Sequence, residues 1–160
     1  MLFGWPVPHM KDLSQKCYEP GGYFSLLREM NFRGKSVWVT GASSGIGEAL
    51  ARRLAQRQCR LILSSRRESE LTRVAGLCSG AQDVAVLPID LSKPETMCDA
   101  ARQALMIAGH IDVMVHNGGI SQRSYARDTA FEVDNLPMRT NYLGPIALAK
   151  AILPSLVRKR

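Results

Sequence analysis

From Lys35 onward, short apolar runs alternate with amphipathic stretches. Ser36–Thr40 (SVWVT) reads as a first strand. Ile46–Gln58 reads as a helix, with Ile46, Leu50 and Leu54 on one face and Arg52, Arg53 and Arg57 elsewhere. Arg60–Ser64 (RLILS) is a continuous apolar run, the pattern required by a strand buried on both faces of a parallel sheet. The alternation then repeats. Leu71, Val74, Ala75 and Cys78 mark one face of a helix over Glu68–Cys78, and Asp83–Ile89 reads as the third strand. Pro94, after Ser92, opens a helix that Gly109 stops after Ala108. Asp112–His116 supplies a fourth strand, and a polar loop leads to a long helix over Pro137–Val157, kinked near Gly144 and Pro145.

Strands alternating with helices of this length predict βαβ units and an α/β fold, a doubly wound Rossmann-type parallel sheet of about four strands. Residues 1–33 mix Pro, Gly and aromatics around one short helix, Tyr23–Met30, and read as a lead-in. Residues 34–160 form the domain. A chain of 160 residues has room for a single core that buries roughly 70% of the surface of its unfolded form.

Composition changes this picture little. Hydrophobic residues at 46% and charged ones at 22% are ordinary for a globular protein. The net charge of +7 raises a nucleic-acid partner, but the basic residues are scattered, at Arg52, Arg53, Arg57, Arg66, Arg67 and Arg158–Arg160, and no nucleic-acid motif accompanies them. No nucleic acid is expected. A solvated basic face and an anionic nucleotide ligand account for the charge. Cys17, Cys59, Cys78 and Cys98 have no Cys-x-x-Cys spacing and the three histidines form no zinc pattern. No metal is expected, and reduced thiols point to a reducing compartment. The apolar run Leu2–Pro8 is too short to span a bilayer and has no basic stretch before it.

The candidate chemistry starts between the first strand and the first helix, in V-W-V-T-G-A-S-S-G-I-G. A glycine-rich turn there lets backbone N–H groups and a helix N-terminus approach a pyrophosphate, because no side chain intervenes and the helix dipole favours negative charge. The residues concerned are Gly41, Ser43, Ser44, Gly45, Ile46 and Gly47, with the two serines as hydroxyl donors. The spacing, T-G-x-x-x-G-x-G, resembles the cofactor turn of the short-chain dehydrogenase/reductase family. Three further matches strengthen the resemblance, which runs from about Gly34 to Arg160.

The first lies after the second strand, where an acidic residue would accept hydrogen bonds from the adenosine ribose and repel a 2′-phosphate. This chain has Ser65 there, followed by Arg66 and Arg67. A guanidinium engages phosphate in a forked, charge-assisted geometry, so NADP(H) is favoured over NAD(H), with Arg66 as ligand and Arg67 as the start of a solvated helix. The second is Asp90-Leu91-Ser92. The resemblance gives Asp90 and Leu91 to the adenine ring, and the same residues read as a helix start with Ser92 capping and Glu95 completing the box. The third is H-N-G-G, where the family has N-N-A-G. Asn117, Gly118 and Gly119 match the cofactor side, and His116 departs from the pattern.

The resemblance implies hydride transfer between a nicotinamide and a small, lipophilic alcohol or carbonyl substrate. In the family a tyrosine handles the substrate proton, a lysine four residues later lowers its pKa, a serine polarises the carbonyl and an asparagine positions a water. Asn141, in T-N-Y-L-G, matches the asparagine. No Tyr-x-x-x-Lys occurs in the 160 residues, and the family places that pair and the serine beyond the helix that here reaches Arg160. The expectation is therefore the cofactor-binding portion of an oxidoreductase. The alternative is a nucleotide-binding or regulatory fragment without turnover. Such a chain leaves Val113–Val115 as an unpaired edge and exposes Ile146, Leu148, Ile152 and Leu156, inviting association with other subunits of the family. The resemblance implies a place at the endoplasmic reticulum membrane, through an N-terminal hydrophobic anchor typical of the branch of the family that this sequence resembles, though no such anchor is read in these residues.

Overall fold

Five consecutive buried residues, Ser36–Thr40, form β1 at the middle of the sheet. Burial on both faces selects their apolar and β-branched character. The structure is a computed structural model and describes residues 31–157; the expected helix at Tyr23–Met30 lies outside them. β1 leads into α1 (Gly45–Ala55), followed by β2 (Arg60–Ser64), α2 (Glu68–Gly76) and β3 (Asp83–Val86). After a 3-10 turn at Pro94–Thr96 come α3 (Met97–Ala108) and β4 (Val113–Val115). The chain then enters α4 (Phe131–Met138), a π-helical turn at Arg139–Leu143, and α5 (Gly144–Val157).

The four strands are all parallel, in the order β3-β2-β1-β4. Alternation along the strands divides the core in two. Trp38 and Ile62 face α3 and α5, while Val37, Val39, Leu61 and Leu63 face α1 and α2. This three-layer arrangement is the doubly wound fold expected of the sequence. The indole of Trp38 is fully buried and donates from Nε1 to Ser64 Oγ at 2.8 Å, so its polar edge is satisfied inside the core.

Several elements differ from the sequence reading. The core face of α1 is Gly47, Ala51, Leu54 and Ala55, whereas Ile46 is 79% exposed. β3 ends at Val86 rather than Ile89. Leu87 and Ile89 still donate to the carbonyls of Leu63 and Ser65, but Pro88 between them has no N–H and faces outward. The final helical stretch begins at Phe131, six residues before Pro137. In place of a kink at Gly144 and Pro145, the backbone widens into the π turn one residue earlier, with Gly144 N–H donating to Arg139 O. Pro145 cannot donate back along the helix, and a wider turn absorbs that missing bond.

The expected apolar exposure of the last helix is corrected in part. Leu148 and Ile152 are fully buried against the alanine-rich face of α3, Ala100, Ala101, Ala104 and Ala108. Small residues there let α5 approach closely, and each buried branched side chain contributes about 2 kcal/mol. Leu156 packs at the margin of the same cluster, and Ile146 stays 36% exposed. Exposed apolar residues of this C-terminal stretch lie instead on α4, the π turn and the outer side of α5, including Phe131, Tyr142, Leu143 and Leu153. Among the described residues β4 pairs with β1 alone. Cys59 and Cys78 are buried thiols and Cys98 is exposed; burial pushes the Cys59 thiol up to about 11, keeping it protonated.

Candidate nucleotide-binding site

All four strands point their C-terminal ends toward one edge of the sheet, where a parallel α/β sheet places its ligand crevice. The turn leaving β1 is held there by a dense set of contacts. Thr40, fully buried, donates from Oγ1 to Val115 O at 3.2 Å and accepts from the N–H groups of Asn117 and Gly118, both at 3.1 Å. One hydroxyl thus locks the exits of β1 and β4 together. Gly41 follows with φ +66, and a Cβ on it would lie 2.6 Å from the Gly118 Cα. Asn117 Nδ2 donates to Gly41 O at 3.2 Å, and Ala42 N–H donates to Ser64 O at 3.1 Å.

Gly47 packs inward against the same turn. Its Cβ would meet Gly41 O at 2.1 Å, so α1 can start this close to the turn only with glycine there. Gly45 is the opposite case: it takes φ +60 and has nothing within 4 Å of a Cβ, which leaves open space beside the first turn of α1. Ser44 occupies the N-cap position in extended conformation but makes no side-chain cap bond. The first amides of α1 are therefore without a side-chain cap, and the helix dipole is directed at the opening.

From the end of β2, Ser65, Arg66 and Arg67 enter the same opening. Arg66 is exposed, and Arg67 bends back so that Nη2 lies 3.4 Å from Ser43 Oγ and 3.3 Å from Ser44 Oγ. Both arginines line the opening, but Arg67 alone of the two bonds to the glycine turn, so it is more than the start of a solvated helix. In the first turn of α1, a hydrogen bond from Arg73 holds the Glu48 carboxyl below the usual carboxylate range. Beyond β3, Asp90 accepts from Ser92 N–H at 3.0 Å and Ser92 Oγ at 2.8 Å. Burial opposes ionisation of Asp90, but these bonds with the charges of Arg66 and Lys93 outweigh it and lower its pKa. The expected capping box does not form. Ser92 is spent on Asp90, Lys93 takes the cap position, and Glu95 pairs with Arg139 at 3.1 Å.

Past β4, the side-chain amide of Asn141 closes a two-bond clasp on one residue. Its Oδ1 accepts from Ile120 N–H at 2.8 Å and its Nδ2 donates to Ile120 O at 2.7 Å. Asn141 lies in the π turn, which turns its side chain out of the regular helical track toward the loop. Arg139 Nε anchors the same turn to Ser92 O at 2.6 Å.

These exits surround a cavity of ≈ 250 Å³. Of the residues singled out in the sequence, Gly41, Ser43, Ser44, Arg66, Asp90 and Leu91 line it, as do Asn117, Gly118 and Gly119. Gly45, Ile46, Gly47 and Asn141 lie outside its lining. Gly47 and Asn141 shape it from behind. The wall also contains Ser65, Arg67, Ile89, Ile120 and Thr140. Ile89, Ile120 and Thr140 carry no sequence signal beyond their proximity to the motifs, whereas Arg67 could be found from its adjacency to Arg66.

Residues 35–160 match the family profile described as short chain dehydrogenase. This chain belongs to the short-chain dehydrogenase/reductase family. Within this family of oxidoreductases it is 43% identical over 129 residues to dehydrogenase/reductase SDR family member 7 of Homo sapiens, covering 78% of this chain and 38% of that protein. It is 35% identical over 153 residues to family member 7B of Bos taurus, covering 87% of this chain and 47% of that protein. The chain thus spans less than half the length of either curated relative. Among solved structures, the L-sorbose reductase of Gluconobacter frateurii complexed with NADPH and L-sorbose superposes with TM-score 0.75 at 24% identity, over 81% of this chain and 51% of that one. The 3-oxoacyl (acyl-carrier-protein) reductase of Agrobacterium tumefaciens with NADP bound gives TM-score 0.74 at 24% identity, over 81% of this chain and 50% of that one. Both likenesses show the shared Rossmann-type fold. No helix among the described residues is long and apolar enough to cross a membrane.

Proposed function

We propose that this protein binds NADP(H) at the C-terminal edge of its sheet and represents the cofactor-holding portion of an alcohol–carbonyl oxidoreductase. The observation that carries this reading is the convergence of the uncapped α1 N-terminus, the Gly41–Gly47 turn and the Ser65–Arg66–Arg67 exit on one cavity. The residues fit the cofactor. The open space at Gly45 and the uncapped amides of α1 suit a pyrophosphate, Ser43 and Ser44 offer hydroxyl donors, and Arg66 suits a 2′-phosphate. Asp90 and Leu91 suit contact with the adenine, and Asn117, Gly118 and Gly119 line the same cavity, with Gly118 against the Leu91 side chain.

When bound, the nicotinamide would supply or accept hydride at a small alcohol or carbonyl carbon. The residues of this chain orient that cofactor. Asn141 acts as a positioning residue by fixing Ile120 at the cavity wall. No Tyr-x-x-x-Lys is present in the 160 residues, so the proton at the substrate oxygen has no family-type donor within them. Binding without turnover is the expected behaviour of this polypeptide alone.

Fluorescence titration with NADPH and NADH tests the assignment. The unaltered protein binds NADPH more tightly than NADH, and Arg66→Ala weakens NADPH by about tenfold, the scale of one charge-assisted contact, while leaving NADH unchanged. Equal loss for both nucleotides, or none for either, contradicts the role given to Arg66.

A further inference from the structure

The backbone of the glycine turn is tied at three consecutive residues, each through a different element. Asn117 holds the Gly41 carbonyl, Ser64 holds the Ala42 N–H, and Arg73 Nη2 lies 3.5 Å from the Ser43 carbonyl. Arg73 comes from α2, and its guanidinium is itself fixed. Nη2 and Nη1 grip both oxygens of Glu48 at 2.7 and 3.3 Å, and Nε holds Glu70 at 2.9 Å. Glu48 immediately follows Gly47 in α1. One guanidinium thus joins α2 to the start of α1 and to the turn between β1 and α1.

We infer that Arg73 is a positioning residue for the phosphate cradle, acting through the Ser43–Ser44 peptide. The inference rests on the nucleotide-binding reading above. A trans peptide sets its N–H antiparallel to its C=O. Drawing the Ser43 carbonyl toward α2 therefore turns the Ser44 N–H away from α2, leaving it for a ligand. Arg67 complements this by meeting the hydroxyls of Ser43 and Ser44 rather than the backbone. The pair with Glu48 is 46% and 20% exposed at its two side chains, so its value lies in fixing a peptide plane rather than in global stability.

This role differs measurably from that of a 2′-phosphate ligand. NADPH and NADH share the pyrophosphate, so loss of Arg73 weakens both by the same factor. Titrating each nucleotide against unaltered protein, Arg73→Ala and Arg73→Lys, with thermal unfolding of each, makes the test. Arg73→Ala raises both Kd values about tenfold. Its Tm moves by no more than about 3 °C, as expected for an exposed ion pair. Unchanged Kd values, or a loss confined to NADPH, overturn the inference. So does a Kd rise accompanied by a fall in Tm beyond about 10 °C, which marks a purely structural role. If Arg73→Ala does not fold, Arg73→Lys decides. Lysine keeps the charge but lacks the fork, so both nucleotides weaken by about threefold or more, and unchanged affinity overturns the inference. Unaltered protein that binds neither nucleotide removes the proposed function itself, whereas tight binding that survives in both Arg73 variants removes only this inference.

Discussion

Gly47→Ala is expected to abolish the proposed NADPH binding and to lower the thermal midpoint by about 10 °C, corresponding to about 3 kcal/mol of overpacking in a chain of this size. The added methyl would lie 2.1 Å from Gly41 O and 2.6 Å from Asn117 Nδ2. Both neighbours are held: the Gly41 carbonyl accepts from Asn117, and the Asn117 N–H donates to the buried Thr40 hydroxyl. The only relief is to push α1 away from the turn, which dismantles the phosphate cradle. Gly45→Ala supplies the contrast. Nothing lies within 4 Å of its Cβ, and its φ of +60 costs an L-residue only about 1 kcal/mol. Thermal unfolding of the two variants side by side checks the difference, and similar midpoints would contradict this account of the turn.

The second large effect is expected at Gly144→Ala. In an exposed helix interior this change adds stability, by about 1 kcal/mol. Here the Cβ would meet Leu91 O at 2.0 Å and Leu91 C at 2.9 Å, backbone against backbone. Neither side can yield by a rotamer change. α5 must back away from the segment after β3, straining the Arg139 contact to Ser92 O and the burial of Leu148 on α3. The steric cost exceeds the helical gain, and a net loss of about 2 kcal/mol follows, read as a fall in Tm of about 6 °C. Because Leu91 also lines the cavity, NADPH affinity falls with it. A stabilised Gly144→Ala protein would show that α5 does not seat on Leu91 as described.

Part of this was legible in the sequence because the physics was local. Continuous apolar runs at Ser36–Thr40 and Arg60–Ser64 admit little besides strands buried on both faces, and both occur where expected. The glycine turn was legible through its spacing between strand and helix. What failed was information carried by tertiary contacts. Hydrophobic periodicity placed Ile46 on the inner face of α1, but the inward position belongs to Gly47, because the close approach to Gly41 counts for more than side-chain apolarity. Phe131 gave no signal for a helix start, since α4 buries none of its residues. Pro137, read as an opening residue, sits near the end of that helix instead.

The residues proposed to bind the cofactor divide along the same line. Ser43, Ser44, Arg66 and Asp90 announce themselves by type and position. The bend of Arg67 onto two serine hydroxyls depends on where α2 begins relative to the turn, which no local pattern encodes. Asn141 matched a family motif, but its clasp on Ile120 arises from the π turn, itself a consequence of Pro145 lying where the regular helix would need an N–H. Gly144 was legible as a helix irregularity, while its reason, contact with Leu91 more than fifty positions earlier in the chain, was not.

The central claim is that these 160 residues hold NADP(H) but do not by themselves carry out its chemistry. Isothermal titration of the purified chain with NADPH, followed on the same sample by absorbance of NADPH with a panel of small lipophilic carbonyl compounds, tests it most directly. The account predicts saturable one-to-one binding and no carbonyl-dependent loss of NADPH. Absence of binding, or steady carbonyl-dependent oxidation of NADPH by this chain alone, would contradict it.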